Sequence, residues 1–247
     1  MCRLSSSSGR TRARRWNKRG TDFRPGATAI RGGHVGSRVV SDEPEHYFTA
    51  QPASAAERRT LAVRLAGRDV EVEVASGIFS PGRLDLGTQV LLRSVPPLDG
   101  SVATHLLDLG CGWGPVALTM ALEAPDATVW AVDVNQRALD LVRRNAERLG
   151  LGGVRAVTPD EVPDDVAFGA LWSNPPIRVG KETLHGMLLH WLPRLAPGAV
   201  AHLVVQRNLG ADSLQRWLDE HLPPVLPGAR VERAASAKGF RVLRVSA

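Results

Sequence analysis

The stretch from residue 105 to 123 constrains this chain more than any other. An apolar strand at His105–Leu109 runs into DLGCGWG at 108–114, and an apolar helix follows at once over Pro115–Glu123. Glycines at alternate positions let the backbone turn tightly and let a ligand approach it closely. Proline in the first helical turn is tolerated because its missing N–H has no intrahelical partner anyway. Downstream, strands at Thr128–Val132, Val154–Val157, 167–172 and 200–205 alternate with helices at 137–149, 182–195 and 213–222. The helix at 137–149 sets Ala138, Leu141, Val142 and Leu149 on one face and ends at Gly150. An antiparallel pair, 230–234 and 240–245, turns at Lys238 and Gly239. Strands alternating with helices make a mostly parallel, doubly wound α/β sheet with both faces covered.

Charge and length divide the 247 residues unevenly. Ten of the 31 bases and one of the 25 acids fall in residues 1–41, a net +9; the 21 bases and 24 acids that remain give 42–247 a net −3. The basic character therefore belongs to the Arg-, Ser- and Gly-rich leader, which shows no periodicity and reads as a disordered tail. Such an arm suits nucleic acid or is simply solvated. Residues 42–100 read as a β-rich entry module. Its hairpin (61–65 and 70–74) leads through a loop at 77–85 to a short helix at 89–95, with Thr88 as the candidate cap. Residues 101–247 form the main domain. No apolar run reaches the ~20 residues of a membrane helix, no secretory core precedes residue 40, and two cysteines make no framework, so a cytoplasmic protein is expected.

The glycine turn and the strand after it point to a nucleoside-bearing cofactor. Asp133 ends the second strand 23 residues past Gly110, where a carboxylate can accept hydrogen bonds from both ribose hydroxyls. Nicotinamide dinucleotides and S-adenosylmethionine both fit that plan. The spacing G-x-G-x-G differs from the dinucleotide G-x-G-x-x-G, and Asp108 would repel a pyrophosphate while suiting an ammonium. S-adenosylmethionine is favoured. Here the sequence resembles the class I S-adenosylmethionine-dependent methyltransferases, a Rossmann-like fold with a seven-stranded sheet whose last strand is antiparallel. The resemblance implies that Asp108, Gly110, Cys111, Gly112 and Gly114 line the methionine part, that Asp133 and Val134 meet the ribose side, and that Asp160 faces adenine. Cys111 reads as a small packing residue within that loop. Asp160 reads equally as a solvated turn acid.

The segment SNPPI at 173–177 follows the fourth strand and should lie beside the cofactor, since ligands of open α/β sheets bind at the carboxyl ends of strands. An amino nitrogen on a base or amide needs acceptors to hold it. The Asn174 side-chain oxygen and the Pro175 carbonyl supply two, and Pro176 stiffens the loop. N-P-P at this place resembles the methyltransferases of amide and exocyclic amino nitrogen. Those enzymes usually carry an aromatic where Ile177 stands. Ile177, Arg178 and Lys181 are the candidate substrate contacts.

Further segments, HYF at 46–48, GIFSPGRLDLGT at 77–88, QRNLG at 206–210 and KGFRV at 238–242, resemble the small-domain methyltransferases of RsmC and RlmG type. That resemblance implies methyl transfer to guanine N2 in ribosomal RNA, with ribosomal RNA or a ribosomal subunit as partner. Phe79 is either a cover for the cofactor or plain core. A protein glutamine amide and adenine N6 remain alternative substrates, a non-catalytic RNA-binding scaffold an alternative role, and a dinucleotide oxidoreductase a distant one. The seven histidines are scattered without a zinc spacing, so no metal is expected.

Overall fold

The computed structural model describes residues 57–98 and 105–246. The leader, the HYF segment and the first part of the entry module lie outside the described residues. A β-hairpin opens the described chain: β1 (Arg58–Leu65) and β2 (Arg68–Ala75) pair in antiparallel register, Arg58 opposite Ala75. Helix α1 (Leu86–Ser94) follows the loop. Then come β3 (His105–Leu109), α2 (Pro115–Glu123), β4 (Thr128–Val132), α3 (Gln136–Arg148), β5 (Val154–Val157), β6 (Phe168–Ser173), α4 (Lys181–Trp191), β7 (Leu195–Gln206), α5 (Ala211–His221), β8 (Arg230–Ala237) and β9 (Phe240–Ser246).

Strands β3 to β9 form one sheet in the order β5-β4-β3-β6-β7-β9-β8. Strands β3 to β7 are mutually parallel, and β9 runs against both β7 and β8. The order reverses between β3 and β6, so the crevice of this doubly wound sheet opens at the carboxyl ends of these two strands.

Two cores flank the sheet. One face packs Leu107, Leu109, Leu171 and Leu203 under α4 and α5. The other packs Leu106, Val129, Ala131 and Trp172 under α1 and α2. A third cluster joins Leu65, Val72 and Val74 of the hairpin to Leu118 of α2 and to Ala138 and Leu141 of α3. Helix α2 is thus covered on both sides, which is why Pro115 through Ala121 are all buried and why its sequence shows no polar face. Helix α3 keeps an amphipathic pattern because only two of its sides are covered. Asn145, 0% exposed, stitches these layers together: its side chain accepts from Glu73 N (2.6 Å) and donates to Glu73 O (3.0 Å) and Trp113 O (3.2 Å).

The structure corrects three expectations. Thr88 is not the cap of α1; Asp85 is, its side chain accepting from Thr88 N at 3.1 Å, and the helix starts at Leu86. Helix α4 stops at Trp191, and Pro193 sits in a separate 3-10 turn, Leu192–Arg194. Strand β7 starts at Leu195 rather than 200. Its pairing with β6 slips between Phe168–Leu195 and Ala170–Val200, and the Pro197–Gly198 step lies in that irregularity. Proline and glycine hide this strand start from a pattern reading.

Candidate functional site

The glycine loop is drawn over the end of β4. Gly110 N and Cys111 N donate to Val132 O at 2.8 and 3.1 Å, and Gly112 N donates to Asp133 Oδ2 at 3.0 Å. Gly114 is the N-cap of α2 with φ 92°, and a Cβ there would stand 3.0 Å from Val142. This glycine lets the loop pack closely on α3. Gly112 has nothing within 4 Å of such a Cβ and borders open space. Burial first, then the Asp133 and Asp108 charges, push the Cys111 thiol well up; Cys111 is buried in an apolar cluster and also borders the crevice.

Asp108 decides what this loop can hold. It is 1% exposed, and its Oδ2 accepts from Ala117 N in the first turn of α2 at 2.8 Å. Burial pushes its carboxyl up to about 8, against the lowering effect of the Ala117 hydrogen bond, with the Asp133 charge adding to the rise. A carboxyl group therefore stands where a helix N-terminus would otherwise cradle a phosphate. A cationic ligand relieves a buried carboxylate, and an anion does not.

The crevice has about 370 Å³ of free space and is lined by Asp85, Thr88, Asp108, Gly110, Gly112 and Asn174, with Phe79 and Trp113 among its apolar members. Its lining includes two carboxylates and no Lys or Arg. Phe79 is 44% exposed at the rim, so it is not core. These residues suit a compact ligand with positive charge and an apolar body.

Asn174 is held from an unexpected direction. Its Nδ2 donates to Asp85 Oδ2 at 2.9 Å and to Thr88 Oγ1 at 3.0 Å, which uses both amide hydrogens. An ionised carboxylate only accepts, so Asp85 selects the amide orientation and leaves Oδ1 as the outward atom. Among the described residues no hydrogen bond reaches Oδ1. Asp85 has no local signal in the sequence because it lies 89 positions away; only its place in the 77–88 motif marks it. The Pro175 carbonyl accepts from Ile177 N at 2.8 Å, so one of its two lone pairs is already used. Pro176 closes over the glycine loop, its Cδ 3.6 Å from where a Gly110 Cβ would be.

The other predicted residues are more scattered. Asp133 does not line the crevice. Its carboxylate accepts from Gly112 N and from Asn135 N (2.9 Å), and burial raises its pKa against those bonds. Val134 beside it is 51% exposed. Asp160 lies exposed in the 3-10 turn Pro159–Glu161, outside the crevice lining. Ile177 packs against the α4–α5 core, and Lys181 is exposed at the start of α4. The side chain of Arg178 lies outside the described residues. Among the described residues no three His, Cys, Asp or Glu side chains are placed to hold a metal ion, and no helix is long and apolar enough to cross a membrane.

A seven-stranded sheet with one antiparallel strand, a glycine turn after its first parallel strand and a carboxylate after the second is the frame of a Rossmann-like methyltransferase. The chain belongs to the methyltransferase small-domain family, whose model matches residues 69–244. Its cofactor is S-adenosylmethionine, which agrees with the cation-suited crevice. Among relatives, protein YbxB of Bacillus subtilis is 33% identical over 181 residues, covering 71% of this chain and 88% of YbxB. The ribosomal RNA small subunit methyltransferase C of Aeromonas hydrophila is 40% identical over 145 residues, 57% of this chain and 40% of that enzyme. The chain thus spans less than half of that enzyme. A T. thermophilus 16S rRNA N2 methyltransferase (RsmC), solved with AdoMet and guanosine, superposes with a TM-score of 0.66 at 23% identity, over 79% of this chain and 52% of that one. That likeness shows the fold.

Proposed function

We propose that this protein transfers a methyl group to guanine N2 in ribosomal RNA, as a cytoplasmic enzyme. The observation that carries the reading is the fixed amide of Asn174. A planar amino nitrogen conjugated to a ring has its lone pair delocalised, so it must be held with its N–H groups accepted and its methyl acceptor face presented. Asn174 Oδ1 accepts one N–H. The remaining lone pair of the Pro175 carbonyl accepts another. Orientation of this kind contributes up to roughly 7–11 kcal/mol in well-aligned cases. The rRNA methyltransferases among the relatives support a ribosomal RNA substrate.

Cofactor binding in this reading divides among the loop residues. Asp108 takes the ammonium of the methionine part, with Gly110 and Gly112 giving backbone access beside it. Asp133 holds the glycine loop through Gly112 N and offers its remaining lone pairs to the ribose. Val134, half exposed, packs on the adenine side with Asp160 at its edge. S-adenosylmethionine, when bound, supplies an electrophilic methyl on a sulfonium. Ile177 and Lys181 border the substrate, and the product nitrogen releases its proton to water, so no base is needed in the cleft.

The test is methyl transfer from labelled S-adenosylmethionine to unmodified ribosomal RNA. Label should vanish on RNase treatment, survive protease, and migrate as N2-methylguanosine after nucleoside digestion. Label in protein would move the reading to an amide substrate, and label in N6-methyladenosine to adenine.

A further inference from the structure

Two of the sequence motifs, QRNLG at 206–210 and KGFRV at 238–242, have no part in the crevice. The fold brings them together. Arg207 N donates to Gly239 O at 2.8 Å, and β7 pairs with β9 so that Gln206 faces Phe240. Between them lies a recess of about 460 Å³ lined by Arg207, Ser236, Lys238, Phe240 and Arg241. It holds three cations and no carboxylate in its lining. Arg241 is anchored by an ion pair to Asp212, which also pairs with Arg233 at 3.0 Å.

Lys238 has φ 49° and Gly239 φ 80°, the two left-handed positions of a tight hairpin turn. Asn, Asp or Gly is favoured at the first of these. The β1–β2 turn has the same left-handed pair at Ala66 (φ 47°) and Gly67 (φ 74°), so the turn itself is ordinary here and what sets Lys238 apart is the ammonium it adds to the recess lining.

The recess also sits on the working edge of the sheet. Ser173 pairs with Leu203, so Gln206 lies three residues further along β7, about 10 Å beyond Asn174's neighbour at ~3.3 Å per residue. We infer that Arg207, Lys238 and Arg241 form a phosphate subsite that grips the phosphodiester backbone of the RNA beside the target nucleotide. The inference rests on the RNA reading above. It assigns the electrostatic grip to the sheet edge, with Arg241 braced by Asp212 and the other two cations free to follow the backbone.

The test uses the full chain, a fluorescein-labelled single-stranded RNA and unmodified ribosomal RNA. Arg207→Ala with Lys238→Ala should weaken RNA binding about tenfold at 0.1 M KCl. The slope of log K against log salt should become shallower by about 1.4, two contacts at ~0.7 each. S-adenosylhomocysteine affinity should be unchanged, and KM for RNA should rise more than kcat falls. Lys238→Asn separates binding from folding. It should raise the melting temperature by roughly 1–3 °C, because Asn suits the turn, and still weaken RNA binding. Lys238→Arg should restore binding. If the wild type methylates ribosomal RNA while the double variant keeps its affinity and slope, the subsite is wrong and the RNA reading survives. If the wild type binds S-adenosylhomocysteine but neither binds nor methylates RNA, the RNA reading falls and the subsite falls with it.

Discussion

The carboxyl edge of the sheet carries two recesses of opposite charge. The crevice between β3 and β6 holds Asp85 and Asp108 and no cation in its lining; the recess between β7 and the β8–β9 turn holds Arg207, Lys238 and Arg241 and no acid. The first is tightly wired. Its loop N–H groups are spent on Val132 O and Asp133, and its amide is held by two partners. The second is open, and its long side chains are exposed except for Arg241. A cationic ligand of fixed shape needs the first arrangement, and a flexible polyanion needs the second. Charge thus divides this edge into an acidic recess and a basic one.

Exchanging charge inside the crevice should produce the largest effects. Asn174→Asp sets a carboxyl against Asp85, where Asn174 Nδ2 now donates at 2.9 Å. Methyl transfer should fall roughly 10²–10³-fold, the usual scale for losing one positioned polar group at a reacting centre. Adding Asp85→Asn sets an amide donor against the new carboxyl, at the expense of the Thr88 N contact that shares Asp85 Oδ2. The double variant should recover at least tenfold over Asn174→Asp in single-turnover assays. No recovery would show that Asp85 does not act through Asn174.

Asp108→Asn comes next, because it removes the crevice's buried acid. Losing a hydrogen bond to a charged group costs ~1.5–3 kcal/mol, so calorimetry should show S-adenosylhomocysteine binding about 10–100-fold more weakly. The stability effect has the opposite sign. The Asp108 pKa is raised to about 8 in the fold from an ordinary value of 3.8. The unfolded chain therefore ionises first, and the stability contribution, whole below pH ~4, is lost as pH rises toward 8. Thermal melts should show Asp108→Asn above the wild type at pH 8 and level with it at pH 4. NADH should show no heat of binding to either, and binding by the wild type would break the charge contrast.

Asp133→Ala should have a smaller effect that acts through the loop. Two backbone donors, Gly112 N and Asn135 N, lose their acceptor. Cofactor affinity should drop by ~1–3 kcal/mol, and the melting temperature should fall with it. Asp160→Ala should do least. This exposed turn acid should change S-adenosylhomocysteine affinity by less than about threefold, the scale of a solvent-screened contact. A larger loss in titration would place Asp160 closer to the ligand than its position outside the crevice lining suggests.

Much of the frame is legible in the residues alone. Strands β3, β4 and β5 and helix α2 have the bounds read from the sequence, because apolar runs, a first-turn proline and glycine stops act over a few neighbouring residues. The start of β7 is not legible in this way, since Pro197 and Gly198 interrupt its pattern and only pairing with β6 reveals it. In the site, Asp108, Gly110, Gly112 and Asn174 are marked by turn chemistry and by their place after strands. Their partners are not.

The sequence by itself determined the strand–turn–helix frame, the acid that precedes the glycine turn and the amide that follows the fourth strand. Only the tertiary structure decided that Asp85 orients Asn174 from 89 positions away, that Asn145 ties the hairpin to the glycine loop across 72, and that Arg207 meets Gly239. The physical reason is reach. Periodicity and turn preference arise between near neighbours in the chain, whereas a polar side chain's partner depends on strand order and on which helix covers which face.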